Sequence, residues 1–311
     1  MNTESEFECV TPLLVTQQSI RCFSLGDCAL VCVWLLLMFM YAIFLATGGN
    51  VSRDFLDAAV FSSAVLCVSL GKSRAALVAA VAIPLFGLAV WLRVPTLSAG
   101  MLTLGCGGVA VLTFNAVRGS KMDQQNLRIA VALPLFIVLS AFVNTQIAHF
   151  TPQIYDAALL KADFGVSAAV RRWTAACRLR LVISAAFYVA LPPAAALVIA
   201  GTTGRMRTHL LRALCLAAVL SVPCYFLLPA VGPVHIGQPF AWRNCMPSLH
   251  LTWAALLWLN ARPIWLMWFA FAFMLFTAFA TLATGEHYVL DLVAAVPFTW
   301  LIQRLSEPVA Q

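Results

Sequence analysis

Charge is what this chain has least of. Asp, Glu, Lys and Arg make up 10% of its 311 residues, where a soluble domain carries about a quarter. With 62% hydrophobic residues and a mean hydropathy of +0.92, that scarcity excludes a water-solvated globule and points to an integral membrane protein. Acidic residues are the rarer sign, and the resulting net charge of +7 calls for no partner beyond anionic lipid. No folded nucleic-acid module is recognisable. The paired CxxC spacing of a zinc module is missing too. No group of carboxylates, cysteines or histidines has the spacing of a metal site, so neither metal nor other cofactor is expected. Internal repeats are absent. Cys28, Cys32, Cys67, Cys106, Cys215 and Cys224 lie in apolar runs, where cysteine behaves as a small hydrophobe. Cys177 and Cys245 fall on one expected side of the membrane, where an oxidising compartment would permit a disulfide.

What the chain does have is a series of apolar runs, near residues 28–47, 55–70, 75–92, 97–117, 129–150, 181–200, 210–230, 249–260, 264–283 and 287–303. Most approach the roughly 20 residues that cross about 30 Å of hydrocarbon; the runs at 55–70 and 249–260 are short. The expected fold is therefore all-α, a polytopic membrane protein of about ten transmembrane helices. Asn260-Ala261-Arg262-Pro263 puts a charge and a helix breaker between two of the runs, which reads as a tight hairpin.

Basic residues orient the spans. With a cytoplasmic N-terminus, Arg21, Lys72, Arg74, Arg118, Lys121, Arg128, Arg205, Arg207, Arg212, Arg262 and Arg304 fall inside. Outside the loop at 150–180, only Arg53, Arg93 and Arg243 fall on the other side, as the positive-inside rule requires. The 150–180 loop mixes Asp156, Lys161, Asp163, Arg171 and Arg172 with Leu159, Leu160, Phe164, Val166 and Trp173, the composition of an amphipathic segment lying on the bilayer. Residues 1–27 hold Glu4, Glu6 and Glu8 and no basic stretch ahead of an apolar run, so the expectation is a cytoplasmic tail and a first span retained as signal anchor.

Two short stretches carry chemistry. Pro247-Ser248-Leu249-His250 and Glu286-His287-Tyr288-Val289-Leu290-Asp291 set two histidines and an aspartate at the heads of apolar segments, where an ionisable group is costly and marks function by default. His287 and Asp291 are four positions apart, one helical turn on a shared face. The carboxylate can take a hydrogen bond from one ring nitrogen, fix the tautomer and leave the other nitrogen free as a nucleophile. Ser248 stands where the N-cap of the next helix belongs, and that helix start favours an anion such as phosphate. His250, one residue inside, is placed to give a proton to a departing alkoxide. Arg243 could add bidentate charge.

The pairing of Pro247-Ser248-Leu249-His250 with His287-Tyr288-x-x-Asp291 resembles the second and third signature motifs of the type 2 phosphatidic acid phosphatase superfamily. Its Pro-Ser-Leu-His form, with Tyr225-Phe226-Leu227-Leu228-Pro229-Ala230-x-Gly232-Pro233 upstream, is most similar to the inositol phosphorylceramide synthase branch, which Asp156 and Asp163-Phe164-Gly165 fit loosely. The resemblance covers roughly residues 129–303. It implies a C-terminal six-helix catalytic core at 121–305, including the interfacial loop at 151–180, preceded by four additional helices at 28–120 and followed by a tail at 306–311. It also implies metal-free catalysis through a phosphohistidine, with His287 as nucleophile, Asp291 as its partner, His250 as acid and base, and Ser248 and Tyr288 at the phosphate. The chain departs from the pattern at Ala280 and Thr281, where the superfamily usually has Ser-Arg, and it lacks the Lys-x6-Arg-Pro motif just ahead of Pro247. Arg243, then Arg171, Arg172 and Arg178, are the cations left to hold phosphate.

Three function classes follow. The first is a lipid enzyme that cleaves a phosphoester on the non-cytoplasmic face and passes the phosphoryl head group to a lipid hydroxyl or to water, with membrane lipids as its partners. The resemblance tilts this toward transfer. A transporter would place its polar groups near mid-membrane on broken, repeated helices; a catalytically dead scaffold would explain the missing arginine.

Overall fold

The computed structural model describes residues 53–71, 73–151, 153–238, 241 and 244–307. The expected first span, the 1–27 tail, Lys72 and Arg243 lie outside the described residues. Their regular structure is all helical, and no strand occurs among them. In chain order the helices are α1 Arg53–Ser69, α2 Ser73–Trp91, α3 Thr96–Val117, α4 Lys121–Phe150, α5 Asp156–Ala162, α6 Val166–Ala175, α7 Arg178–Val189, α8 Leu191–Gly201, α9 Gly204–Leu227, α10 Leu249–Asn260, α11 Ile264–Thr284 and α12 Val289–Ser306, with a 3-10 turn at Pro233–His235.

Local chemistry sets the boundaries. Ser120 caps α4 by accepting a hydrogen bond from Asp123 N at 3.2 Å, a standard N-terminal role for serine. Gly285 ends α11 in the left-handed conformation, φ 80°, which a side chain disfavours. The hairpin at Asn260–Pro263 forms as expected, between the end of α10 and the start of α11. The 181–200 run does not form one span: α7 and α8 meet at a 49° bend. Pro192 and Pro193, at the start of α8, explain the break, since neither can donate to the carbonyl four residues back.

Helices α2, α3, α9, α11 and α12 are long and apolar enough to cross a membrane, and the bent α7–α8 pair makes a sixth candidate. The chain is thus a multi-pass helical protein. Helix α10 has 12 residues, a rise of about 18 Å, and needs support at both ends. It runs parallel to α12, and the two are pinned at matching positions. Ser248 N donates to Asp291 O at 3.2 Å at one end, and Asn260 Nδ2 donates to Gln303 Oε1 at 3.0 Å at the other.

The additional N-terminal helices are packed into the bundle. Helix α3 lies against α1 and α2 through Gly105, Gly107 and Gly108; a Cβ on Gly108 would sit 2.7 Å from the backbone of Ala64. Small residues let membrane helices approach this closely. Helix α1 in turn packs on α4 and α8, and Ser63 Oγ donates to Ala130 O at 2.9 Å. Its fully buried Asp57 and the buried Asn144 of α4 show that the apolar runs carry more polar groups than the two motifs.

The loop at 151–180 folds as α5 and α6 with their polar side inward. Asp156, Asp163, Ser167 and Thr174 are buried, while Leu160, Phe164, Val166 and Trp173 are exposed. An outward apolar face beside Lys161, Arg171 and Arg172 suits a segment resting on lipid, and the inward polar face serves the site below.

Candidate active site

The two motifs meet at one end of the bundle, where α10 and α12 begin and α9 ends. Ser248 is the N-cap of α10 as its position required, accepting from Leu251 N at 3.4 Å. His287 and Asp291 do come together, but not on one helical face. Helix α12 starts at Val289 with Tyr288 as its N-cap, so His287 stands in the loop before it. Asp291 reaches back to accept from Tyr288 N at 2.7 Å, the carboxylate half of a capping box. The same oxygen, Oδ2, lies 3.4 Å from His287 Nδ1.

The surroundings of His287 define its tautomer. Nδ1 faces the carbonyl of Cys245 at 3.1 Å as well as Asp291, and both can only accept. Nδ1 therefore carries the proton, and the Nε2 lone pair faces Ser248 Oγ at 3.2 Å. His287, Ser248 and Asp291 are 4%, 0% and 0% exposed, so the arrangement is dry. His250 lies beside it with ring centroids 6.3 Å apart, stacked on Tyr188 at 4.1 Å and tilted against Phe55 at 5.1 Å. Its Nε2 is buried and has no protein partner. Phe55 belongs to α1, so the additional helices form one wall of the site.

Two carboxylates of the interfacial segment hold this constellation. Asp156 accepts from Val231 N at 3.1 Å, Gly232 N at 3.0 Å and the Tyr288 hydroxyl at 2.9 Å. Asp163 accepts from Ser167 N and Val289 N, each at 2.8 Å, and so caps α6 and α12 together. Burial and the Asp156 carboxylate push the Tyr288 phenol up, which keeps it a donor. Tyr288, expected at the phosphate, is instead fully buried with its hydroxyl committed to Asp156.

Cys245 is the residue that sequence reading misassigned. It is a free, buried thiol, as Cys177 is a free thiol elsewhere, so no disulfide joins them. Its Sγ lies 2.8 Å from Asp291 Oδ2 and 3.1 Å from Glu286 O. Burial, and then the Asp291 charge, push this thiol well up, leaving it neutral and able to donate to the carboxylate. Cys245, His287 and Asp291 also bring their donor atoms within 4.8 Å of one another. A sulfur, nitrogen and oxygen set of this kind can hold a zinc-like ion. The members lie 42 and 46 residues apart, so this grouping has no sequence spacing to read.

Of the expected cations, Arg171 lies against Gly285 in the loop before His287, and Arg172 and Arg178 are exposed. Arg180 emerges unannounced. It shares a face of α7 with Ser184 and Tyr188 at helical spacing, stacks over Trp173 at 3.9 Å, and buries an Nε that has no protein partner. An unsatisfied buried donor of that kind needs an acceptor from elsewhere. The i, i+4, i+8 spacing to Tyr188 was the signal that could have found it.

Known proteins bear on this geometry at one point. Residues 235–305 match the model of the PAP2 superfamily. No curated protein and no solved structure matches the chain. The matched segment contains Ser248, His250, His287 and Asp291, and it supports a lipid enzyme of phosphatase or phosphotransferase type.

A titrating pair borders the site and gives a test of the loop. His235 Nε2 lies 3.0 Å from Glu286 Oε2, one residue from His287. Glu286 raises the His235 pKa against the opposing effect of burial. A raised histidine stabilises the fold fully below its unfolded value, about 6.5, and loses that contribution as pH climbs through the folded value. The unfolding temperature of the wild type should therefore exceed that of Glu286→Gln most below about pH 6.5, with the gap closing as pH rises above it. A gap that widened with pH would contradict the pairing.

Proposed function

We propose that this protein is a lipid phosphotransferase that works through a phosphohistidine at His287. The observation that carries the reading is the polarised imidazole: its Nδ1 proton is fixed by the Cys245 carbonyl and Asp291, and its Nε2 lone pair is directed at Ser248. Nε2 attacks phosphorus, the bond from phosphorus to the leaving oxygen breaks, and His250 gives that oxygen its proton. Asp291 stabilises the positive ring. The Ser248 hydroxyl exchanges Nε2 for a phosphate oxygen as the substrate arrives. An acceptor hydroxyl then loses its proton to His250, attacks phosphorus and releases His287.

Arg180 is our candidate for the missing phosphate cation, because its guanidinium retains a buried unsatisfied donor and arginine binds phosphate through several bonds at once. Burial of Ser248, His287 and Asp291 favours a lipid hydroxyl over water as acceptor, since a closed site protects a reactive intermediate from hydrolysis. Release of phosphate to water shares the first step and is the second outcome. Transfer of the inositol phosphorylceramide synthase kind is the finer reading, supported by the Pro-Ser-Leu-His form of the motif and the upstream segment from Tyr225 to Pro233.

With a lipid phosphate as donor, His287→Ala should lose all turnover, and Asp291→Asn about ten-thousandfold. His250→Ala should spare formation of the phosphoenzyme from an aryl phosphate, whose leaving group needs no proton, while losing it from an alkyl lipid, and should slow the onward transfer to an acceptor hydroxyl from either donor. Arg180→Gln should raise KM more than it lowers kcat. The mechanism uses no metal, so chelation should leave the wild type active. Inactivation by EDTA with rescue by zinc would reassign Cys245, His287 and Asp291 as ligands.

The distribution of basic residues supports a site on the non-cytoplasmic side. Arg205 and Arg262 lie at helix ends opposite His287, the end that the positive-inside rule assigns to the cytoplasm. In a background lacking native thiols, a cysteine at Arg172 should react with an impermeant reagent on whole cells and one at Arg262 should not. The reverse would move the chemistry to the cytoplasmic leaflet.

A further inference from the structure

The end of the bundle remote from His287 holds a cavity of about 1430 Å³ at the start of α9. Along α12 from Val289 to Ser306, the separation from the site is about 25 Å. Four arginines line the cavity, Arg128, Arg205, Arg207 and Arg212, and among the described residues no aspartate or glutamate does. Gathering several guanidinium groups in one concavity raises the positive potential there. Elsewhere at the same end Arg74 is paired with Asp123 at 2.5 Å and Arg304 with Glu307 at 3.7 Å.

The cavity is built rather than incidental. Its His209 is 8% exposed and bonded on both nitrogens, Nδ1 to Asn260 Oδ1 at 2.8 Å and Nε2 to Ser306 Oγ at 3.0 Å. Asn260 is the residue that pins α10 to α12. Arg207 is held through Asn126 Oδ1 and keeps a buried Nε without a protein partner. Arg205 and Arg212 are exposed and line the cavity from positions two turns apart on α9. The first turn of α9 opens here as well: Thr203 makes no side-chain cap, so its amides add positive field. Ile129, Leu211 and Met122 supply an apolar wall.

We propose that this cavity is a second anion site, taking a phosphate group either from a phospholipid headgroup or as a free ion, at the end of the bundle opposite the catalytic histidines. Fixed guanidinium groups, a buried unsatisfied donor and a helix start suit phosphate oxygens; the apolar wall suits acyl chain beside them. The site is separate from the His287 chemistry and does not depend on it.

Calorimetric titration of the full chain in zwitterionic micelles tests this, with inorganic phosphate in one arm and short-chain phosphatidylglycerol in the other. The double variant Arg205→Gln/Arg212→Gln should weaken binding of the effective probe about tenfold. The pair Arg118→Gln/Arg304→Gln, which removes the same charge from exposed positions at the same end, should change it less than about twofold. Binding of the lipid alone identifies a headgroup, and binding of phosphate in either arm's absence of lipid identifies the free ion. Absence of binding by both probes, binding unaltered by the cavity pair, or equal weakening by the two pairs would each overturn the proposal. Circular dichroism and size exclusion of both double variants confirm that the comparison is between folded proteins.

Discussion

The buried carboxylate of Asp291 is the constraint on which the site depends. Through one oxygen it caps α12 at Tyr288 N, receives the Cys245 thiol and faces His287 Nδ1. A carboxylate in an apolar bundle is tolerated only when such partners compensate its lost hydration. The same bonds that make it tolerable position the histidine, so helix start, loop conformation and imidazole tautomer are coupled. Its other oxygen, Oδ1, is buried without a protein partner, which leaves capacity for the positive ring of the proposed reaction.

Asp156 and Asp163 extend the logic outward. Neither touches His287, yet one holds Tyr288 and the 231–232 backbone, and the other holds the first amide of α12. They come from a segment whose apolar side faces outward, so a lipid-resting element is tied by its polar side to the reactive loop. At the far end, Asn260 and Gln303 keep α10 and α12 in register. The short α10, which could not span a bilayer by itself, thus presents Ser248 and His250 at a fixed height beside His287.

How much of this could be read in the chain depends on whether the cause was local. Ser248 as a helix cap, the Asn260–Pro263 hairpin and the convergence of the two histidine motifs follow from nearest neighbours and helix starts, and the structure has all of them. The break between α7 and α8 was legible in Pro192-Pro193 but concealed by an unbroken apolar run. The partnership of Asp291 with His287 was right in its members and wrong in its geometry, because a capping turn and a helical turn bring the same spacing together. Contacts between distant residues were out of reach: Tyr288 meets Asp156 across 132 positions, and Cys245 meets Asp291 across 46. Phe55 on His250 likewise joins helices that sequence reading had assigned to separate parts.

The proposed reaction passes through a covalent bond between His287 and phosphorus. The most direct measurement is rapid acid-free quenching of the enzyme during turnover of a phosphorus-labelled lipid phosphate or phosphodiester, followed by proteolysis and location of the label. Label on the peptide containing His287, stable in alkali and lost in acid, is the predicted result. Label on a serine, cysteine or aspartate peptide, or full turnover with no labelled peptide at any time point, would contradict it.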